Sequence, residues 1–302
     1  MVDMTVKLAG VTLKNPVIAA SGTFGYGREF EEFYPISMLG GVSCKGTTLK
    51  PRQGNPAPRI AETPAGMLNS VGLQNPGADA VCAEHLPWLS RQTAVLMNIA
   101  GSSVEEYAEM AARMDQTEAD FLEVNISCPN VKEGGVGFGT TEAGVAAVTA
   151  AVRKATTKPI IMKLTPNVTD IAAMAAVAES EGADAVSLIN TLTGMRIDLR
   201  TRRPVLRNNT GGLSGPALLP IAIRMVRQVY KKVRIPIIGM GGISTWEDAA
   251  EMMIAGAAAV QVGAANFRDP MAMPRIIEGL ERFAAAQGLQ SITQLTGTLQ
   301  EW

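Results

Sequence analysis

The most constraining feature of this chain is a repeat in which a short apolar segment is followed, in most cases, by a segment with helical periodicity. Eight strands are predicted, and they cover Val17–Ala20, Val42–Lys45, Ala94–Ile99, Phe121–Ile126, Ile160–Leu164, Ala185–Ile189, Ile235–Met240 and Ala258–Val262. Eight consecutive strand–helix units with right-handed connections close most simply into a (β/α)8 TIM barrel. A doubly wound parallel sheet is the alternative, but the series has no central reversal. We therefore expect an α/β protein in which residues 1–302 form a single barrel domain.

The ends of several helices are marked by capping residues. Ser103 with Glu106 and Ser244 with Glu247 fit the capping-box pattern, in which the two side chains each accept a backbone N–H from the other end of the motif. Gly182 and Gly256 lie where two of the helices are expected to end, because glycine readily takes the left-handed conformation found there.

Three connections and one N-terminal segment extend the basic repeat. The long connections cover residues 47–76, 127–139 and 191–215, and each follows a strand. All three would therefore lie on the C-terminal rim, where TIM barrels build their active sites. Lys7–Leu8 and Val11–Leu13 flank a turn and predict a hairpin before the first strand, which we expect to plug the floor of the barrel.

Charge and hydrophobicity narrow the function classes. The 27 Lys and Arg residues nearly balance 28 Asp and Glu residues, which removes the electrostatic argument for nucleic acid or an anionic membrane as the main partner. The longest apolar runs are far shorter than the ~20 residues that span a bilayer. The first residues also lack the basic and apolar regions of a signal peptide. We expect a cytoplasmic globular protein.

The cysteines and the histidine restrict the chemistry further. Three cysteines and the single His85 are too few and too scattered for a disulfide framework or a metal cluster, so no metal site is predicted. Strand alternation points Cys44 towards the helices, and Cys82 falls in a helical stretch where a small buried side chain is expected. Cys128 alone follows a strand on the rim and is the candidate for proton chemistry. His85 is expected to be a surface or capping residue.

Polar residues close six of the eight predicted strands and would converge on one rim. They are Ser21, Lys45, Asn98, Asn125, Lys163 and Asn190. Side-chain amides present a donor beside an acceptor, which suits a planar ligand with alternating C=O and N–H groups. The two lysines suit a carboxylate, a phosphate or developing negative charge. This convergence predicts a binding site.

Glycines end the last two strands, in Gly239–Gly242 and Val262–Ala264. TIM barrels often bind phosphate here, because glycine lets backbone N–H groups approach the anion closely. Tight turns explain the same glycines equally well. The chain has neither G-x-G-x-x-G nor G-x-x-x-x-G-K-[ST], so a mononucleotide phosphate is favoured over a dinucleotide.

Taken together, these motifs resemble those of the class 1 dihydroorotate dehydrogenases, and the similarity runs essentially from end to end. It is carried by Ala20–Gly22, Lys45–Thr47, Asn69–Gly77, Asn125–Asn130, Lys163–Asn167, Asn190–Thr191, Gly211–Gly215 and Gly239–Gly242. The Asn-x-x-Gly-Leu-Gln-Asn-Pro-Gly segment and the Gly-Gly pair after Ser-Cys-Pro-Asn resemble the NAD-linked type B branch rather than the fumarate-linked type A.

The resemblance implies bound FMN and oxidation of (S)-dihydroorotate to orotate in pyrimidine biosynthesis. Cys128 would remove the C5 proton while flavin N5 takes the C6 hydride. The residues that would hold the substrate are Lys45, Asn69, Ser70, Val71, Gly72, Leu73, Asn125, Asn130, Asn190 and Thr191. Those that would hold FMN are Ser21, Lys45, Gly46, Asn98, Asn125, Lys163, Ile189, Gly215, Gly241, Gly242, Gly263 and Ala264. The family usually has Thr where this chain has Ala264, so one hydroxyl contact to the phosphate is expected to be missing.

The type B resemblance also implies a partner. Electrons would pass to NAD through a separate subunit that carries FAD and a [2Fe–2S] cluster, since this chain has neither a cysteine set for such a cluster nor a dinucleotide fingerprint. We expect a homodimer of this chain that joins the electron-transfer subunit in a heterotetramer. The chain alone should reduce NAD poorly.

Other activities stay open at this stage. Type A activity and oxidation of a related dihydropyrimidine are close variants of the same chemistry. Lys163 ends a strand and could instead be the nucleophile of a Schiff-base aldolase. A barrel that binds nucleotides for regulation is the non-enzymatic alternative.

Overall fold

In a computed structural model that describes residues 2–126 and 137–302, eight parallel strands close into a barrel. In chain order, β1–β8 are Val17–Ala19, Gly41–Ser43, Ala94–Ile99, Phe121–Asn125, Ile160–Lys163, Ala185–Leu188, Ile237–Met240 and Ala259–Val262. Each strand pairs with the next one in sequence, and β8 closes the barrel on β1. The predicted TIM barrel is confirmed and the doubly wound alternative is wrong.

Helices cover the outside of the barrel. The longer ones in the described ranges, α1–α6, are Val104–Asp115, Glu142–Ala155, Ile171–Ser180, Leu219–Tyr230, Trp246–Ala255 and Ala272–Ala286. Shorter helical segments are Arg28–Phe30, Ile36–Met38, Ala78–Ala80, Val81–His85, Leu86–Leu89, Phe138–Thr140, Pro216–Leu218, Ala265–Arg268 and Ile292–Leu295. Over these ranges, every helix is too short or too polar to cross a membrane.

The apolar pattern explains how the two layers pack. All four residues of β5 and of β6 are buried, as expected for parallel strands that are covered on both faces. On α4, Ala222, Met225, Val226 and Val229 recur at helical spacing and form the buried face.

The predicted Ser103 cap of α1 forms, whereas neither capping box forms at the predicted pair of residues. The Ser103 hydroxyl accepts from the Glu106 backbone N–H at 3.2 Å, but the Glu106 carboxylate accepts from Ser102. At the start of α5 the capping box is formed by Thr245 and Asp248, so the prediction of Ser244 and Glu247 is wrong by one position. The reason is that α5 begins at Trp246, which makes Thr245 the residue just outside the first turn.

The long connections build a second sheet over the mouth of the barrel. Its antiparallel strands are, in spatial order, Leu192–Gly194, Gly211–Ser214, Gly66–Asn69 and Ile60–Thr63. A two-stranded ribbon, Ile197–Asp198 with Arg203–Pro204, extends the third connection. The N-terminal hairpin also forms, over Val6–Leu8 and Val11–Leu13, and buries Leu8 and Leu13.

Candidate active site

The C-terminal ends of the barrel strands and the antiparallel sheet enclose a cleft of about 1330 Å³, a volume that includes its solvent-open part. Most of the predicted site residues line it. They are Ser21, Lys45, Gly46, Asn69, Val71, Gly72, Leu73, Asn125, Lys163, Ile189, Asn190, Thr191, Gly215, Gly241, Gly242, Gly263 and Ala264.

Four predicted residues do not line the described part of the cleft. Asn98 is fully buried beneath its floor, and Ser70 is fully buried behind the loop that carries Asn69 and Val71. Cys128 and Asn130 lie outside the described residues.

A carboxylate that sequence reasoning missed lies under the cleft floor. Glu123 points into the barrel from β4, and its side chain is 0% exposed. Its two oxygens accept hydrogen bonds from the other even-numbered strands: Ser43 of β2 at 2.6 Å, Ser187 of β6 at 2.9 Å and Gln261 of β8 at 2.6 Å. TIM-barrel interiors are filled by layers of side chains from alternate strands, usually bulky and branched. Here one such layer is entirely polar.

Glu123 is paired with the cation of the cleft floor. The Lys163 ammonium lies 3.5 Å from a Glu123 oxygen, and its side chain is only 5% exposed. Burial alone would raise the pKa of Glu123. The charge of Lys163 and the hydrogen bonds from Ser43, Gln261 and Asn98 outweigh burial and hold that pKa below its ordinary value. Glu123 is therefore ionised at neutral pH.

The polar strand ends are connected to this pair. Lys163 also donates to the Ser21 hydroxyl at 3.2 Å. Asn98 donates to Glu123 at 2.6 Å, and its amide oxygen accepts from Asn125 at 3.5 Å. Asn190 in turn donates to the amide oxygen of Asn125 at 3.4 Å. The predicted convergence of polar side chains is thus a connected network that runs from the barrel interior to the cleft.

Two asparagines, the buried Asn75 and the half-buried Asn167, hold the cleft-lining loops in place. The Asn75 amide contacts Thr48, the Leu73 carbonyl and the Gly77 N–H, which ties the loop after β2 to itself. Asn167 plays the same part in the loop after β6, because it donates to the Thr191 carbonyl at 3.1 Å and accepts from the Thr193 N–H at 2.9 Å. Binding groups that are fixed in this way lose little freedom when a ligand arrives.

The glycines at the ends of β7 and β8 form one wall of the cleft. Gly241 and Gly242 have positive φ angles of 117° and 85°, and a Cβ on Gly242 would lie 2.4 Å from the backbone nitrogen of Leu219. A side chain is therefore excluded at Gly242 by conformation and by space. Beside them, at the end of the neighbouring strand β8, Gly263 and Ala264 bring their backbone to the cleft just before the short helix Ala265–Arg268. These close-packed backbones fit a phosphate group.

Two buried oxygens at the cleft also fit a bound ligand. In the described part of the chain, Oε1 of Gln261 and Oγ1 of Thr23 have no hydrogen-bond partner, and both residues line the cleft. An unsatisfied buried polar atom costs about 1–3 kcal/mol. Donors on a ring ligand would remove that cost, so the residues present fit FMN. Neither Gln261 nor Thr23 was predicted, although Gln261 is a polar residue inside an apolar strand.

The remaining cysteines and the histidine lie away from the cleft. Cys44 is fully buried, and burial together with the nearby Glu123 charge raises the pKa of its thiol to about 12. Cys82 is half-buried rather than buried as expected. His85 is half-buried and stacks on the Tyr26 ring with the centroids 3.9 Å apart; it lies at the N-cap position of the short helix Leu86–Leu89, but its side chain makes no capping hydrogen bond. Burial lowers the pKa of His85.

Comparison with known proteins agrees with the geometry. A family model described as dihydroorotate dehydrogenase matches residues 3–284. Three similar proteins carry the name "Dihydroorotate dehydrogenase B (NAD(+)), catalytic subunit". That of Pelobacter propionicus is 55% identical over 300 residues, which cover 99% of each chain. That of Geobacter sulfurreducens is 55% identical over 99% of this chain and 98% of its own. That of Anoxybacillus flavithermus is 53% identical over 97% and 95%.

Proposed function

The chain belongs to the dihydroorotate dehydrogenase family, and from that premise we propose that it oxidises (S)-dihydroorotate to orotate in pyrimidine biosynthesis. We assign it to the NAD-linked type, as the FMN-carrying catalytic subunit. The observation that carries this proposal is the cleft itself. It combines a buried lysine and an asparagine network on its floor with a glycine wall on one side.

The cleft floor and the glycine wall would hold different parts of FMN. Backbone groups of Gly241, Gly242, Gly263 and Ala264 would bind the phosphate. The Lys163 ammonium and the Ser21 hydroxyl would hold the ring, and a positive charge there would favour its reduced, more negative form. When bound, FMN supplies a ring that accepts a hydride equivalent from the substrate.

The other side of the cleft binds the substrate. Lys45 lines the cleft and supplies a cation for the substrate carboxylate. Amide groups of Asn69, Asn125 and Asn190 hold the C=O and N–H groups of the ring, together with Thr191 and the backbone of the loop at residues 70–73. Asn130 is proposed for the same role. Fixing the ring in one orientation is how these residues accelerate the reaction.

Cys128 is proposed as the base that takes the C5 proton. It follows β4 in sequence by three residues, and Asn125 at the end of β4 lines the cleft. A free cysteine has a pKa of about 8.5, close enough to neutral pH for general-base catalysis. Cys44 and Cys82 are poor rivals, since neither lines the cleft and burial raises the pKa of each thiol.

We propose that electrons leave the chain for NAD through a partner subunit with FAD and a [2Fe–2S] cluster, in a heterotetramer built on a homodimer of this chain. The relatives' shared name, a catalytic subunit of an NAD-linked enzyme, supports a separate partner.

A cytoplasmic location fits the two free thiols, Cys44 and Cys82, because reducing compartments keep thiols unpaired.

The Schiff-base aldolase alternative is disfavoured by the surroundings of Lys163. A nucleophilic lysine must be neutral, and it is usually activated by an apolar pocket or by a second cation. Lys163 instead lies 3.5 Å from the buried carboxylate of Glu123, which is neither an apolar pocket nor a second cation.

The test is to purify the chain alone and together with its electron-transfer partner, and to supply dihydroorotate with different acceptors. We expect a yellow protein that releases FMN on denaturation and reduces an artificial dye when alone. It should reduce NAD at a useful rate only with the partner.

Each rival predicts a different result in the same assays. Turnover with fumarate by the chain alone would assign it to type A. A colourless protein that borohydride traps on a carbonyl substrate would favour the aldolase. Binding of nucleotides with no turnover of any dye would favour a regulatory barrel.

A further inference from the structure

The polar layer around Glu123 has no counterpart in the roles assigned so far. Glu123 does not line the cleft. Removing a carboxylate from water is costly, and a well-packed apolar layer would often be at least as stable. A buried charge in the middle of the barrel therefore calls for a function.

Its neighbours indicate what that function is. Lys163 is the one partner of Glu123 that lines the cleft as a charged group, and the ammonium lies 3.5 Å from a Glu123 oxygen. The remaining four donors to Glu123 are the neutral side chains of Ser43, Asn98, Ser187 and Gln261. They hold the carboxylate in one position, so the Lys163 charge is tied to a fixed counter-charge below the floor.

We propose that Glu123 is a positioning residue that holds Lys163 at the cleft floor and offsets its charge, and thereby sets the reduction potential of the ring bound above it. This inference rests on the proposed function, because it assumes that the cleft holds FMN. With both charges present, the floor is close to neutral. Without the carboxylate, the full charge of Lys163 would act on the ring and stabilise the reduced form too strongly.

The experiment compares the flavin reduction potentials of holoenzyme variants, measured by chemical reduction against a reference dye without substrate. For Glu123→Gln we expect the ratio of reduced to oxidised flavin at a given potential to rise at least tenfold. For a two-electron couple this is a shift of about 30 mV to more positive values. For Ser43→Ala, the matched control, one hydrogen bond to Glu123 is lost while its charge stays. We expect this variant to lose thermal stability and to keep the wild-type potential.

A purely structural role for Glu123 predicts instead that both variants have a lower melting temperature and that both keep the wild-type reduction potential. That outcome overturns the proposal. If Glu123→Gln does not fold, the comparison moves to Lys163→Met with and without Glu123→Gln, where the double variant restores charge balance. We then expect the more positive potential in the double variant, and equal potentials refute the idea. None of these measurements uses dihydroorotate. Failure of the proposal about the reduction potential is therefore distinguishable from failure of the proposed oxidation of dihydroorotate.

Discussion

Replacing Lys163 by methionine is expected to destabilise the protein in a way that depends on pH. Lys163 and Glu123 have side chains that are 5% and 0% exposed, so the variant leaves a carboxylate inside the barrel without its cation. Removing one partner of a buried ion pair costs about 3–5 kcal/mol. The four neutral donors to Glu123 remain, which places the expected cost near the lower limit, about 3 kcal/mol at neutral pH.

That cost converts to a measurable change in melting temperature. Unfolding entropy is about 2.1 cal/mol/K per residue, which for 302 residues gives about 0.6 kcal/mol/K. A loss of about 3 kcal/mol should therefore lower the melting temperature by about 5 °C. The measurement is thermal denaturation after removal of bound flavin, because ligand loss would itself lower the melting temperature.

The pH dependence follows from Glu123. In the wild type its pKa in the folded state is below its ordinary value of 4.5. Its contribution to stability is therefore complete above that value and is lost as the pH falls through the lower, folded pKa. In Lys163→Met, burial acts without the opposing ammonium and raises the folded pKa of Glu123. The difference in melting temperature between wild type and variant should then be largest near pH 8. It should become smaller towards pH 4, as Glu123 takes up a proton.

Lys231→Met is the matched control, since Lys231 pairs with Glu301 on the exposed surface. Exposed ion pairs contribute little to stability, so its melting temperature should stay at the wild-type value. A deficit for Lys163→Met that is the same at pH 4 and pH 8, or that is absent at both, would refute the reasoning.

Four further substitutions and one labelling reaction test other parts of the account. Cys128→Ala should lose most flavin reduction in stopped-flow assays while keeping FMN. Cys128→Ser should reduce the flavin slowly at neutral pH and recover partly in alkali. Near-normal rates for Cys128→Ala would show that the assignment of Cys128 as the base is wrong. Gly242→Ala should cost at least about 2 kcal/mol, because a positive φ and a backbone contact at 2.4 Å are both unfavourable. Gly263→Ala should unfold at the wild-type temperature, since its Cβ would meet nothing closer than 3.6 Å. If chemical denaturation showed that Gly242→Ala and Gly263→Ala lose the same free energy of unfolding, this distinction would be contradicted. Native Cys44 should resist iodoacetamide at pH 8, given its burial and a thiol pKa of about 12, and rapid labelling would contradict its placement.

The strands could be predicted because each is a compact apolar run between turn residues. All eight appear within two residues of the expected bounds, and the polar residues at their ends converge as the barrel geometry requires. The Ser103 cap of α1 was predicted at the correct residue, whereas the capping box of α5 was predicted one position too early. In α5, adjacent Ser244 and Thr245 can both fill the role, and only the start of the helix decides between them.

The sheet over the barrel mouth could not be predicted from local pattern. Gly66–Asn69 and Gly211–Ser214 lack an alternation of apolar and polar residues, and they pair across a separation of more than 140 residues. Asn69 and Thr191 come together only through this long-range pairing.

Glu123 was missed although the sequence holds a signal for it. A charged residue interrupts the apolar strand Phe121–Asn125, two positions before Asn125 and hence on the same face. Gln261 interrupts β8 in the same way. What the sequence does not show is that both point to the centre of one barrel layer, because that depends on the register of the closed sheet.

The most direct test of the central claim is an anaerobic titration of the purified protein with (S)-dihydroorotate, followed at the visible absorption band of the flavin. The account predicts that the yellow colour is lost and that one orotate forms for each FMN. A protein without flavin, or a flavin that stays oxidised in excess dihydroorotate, would contradict it.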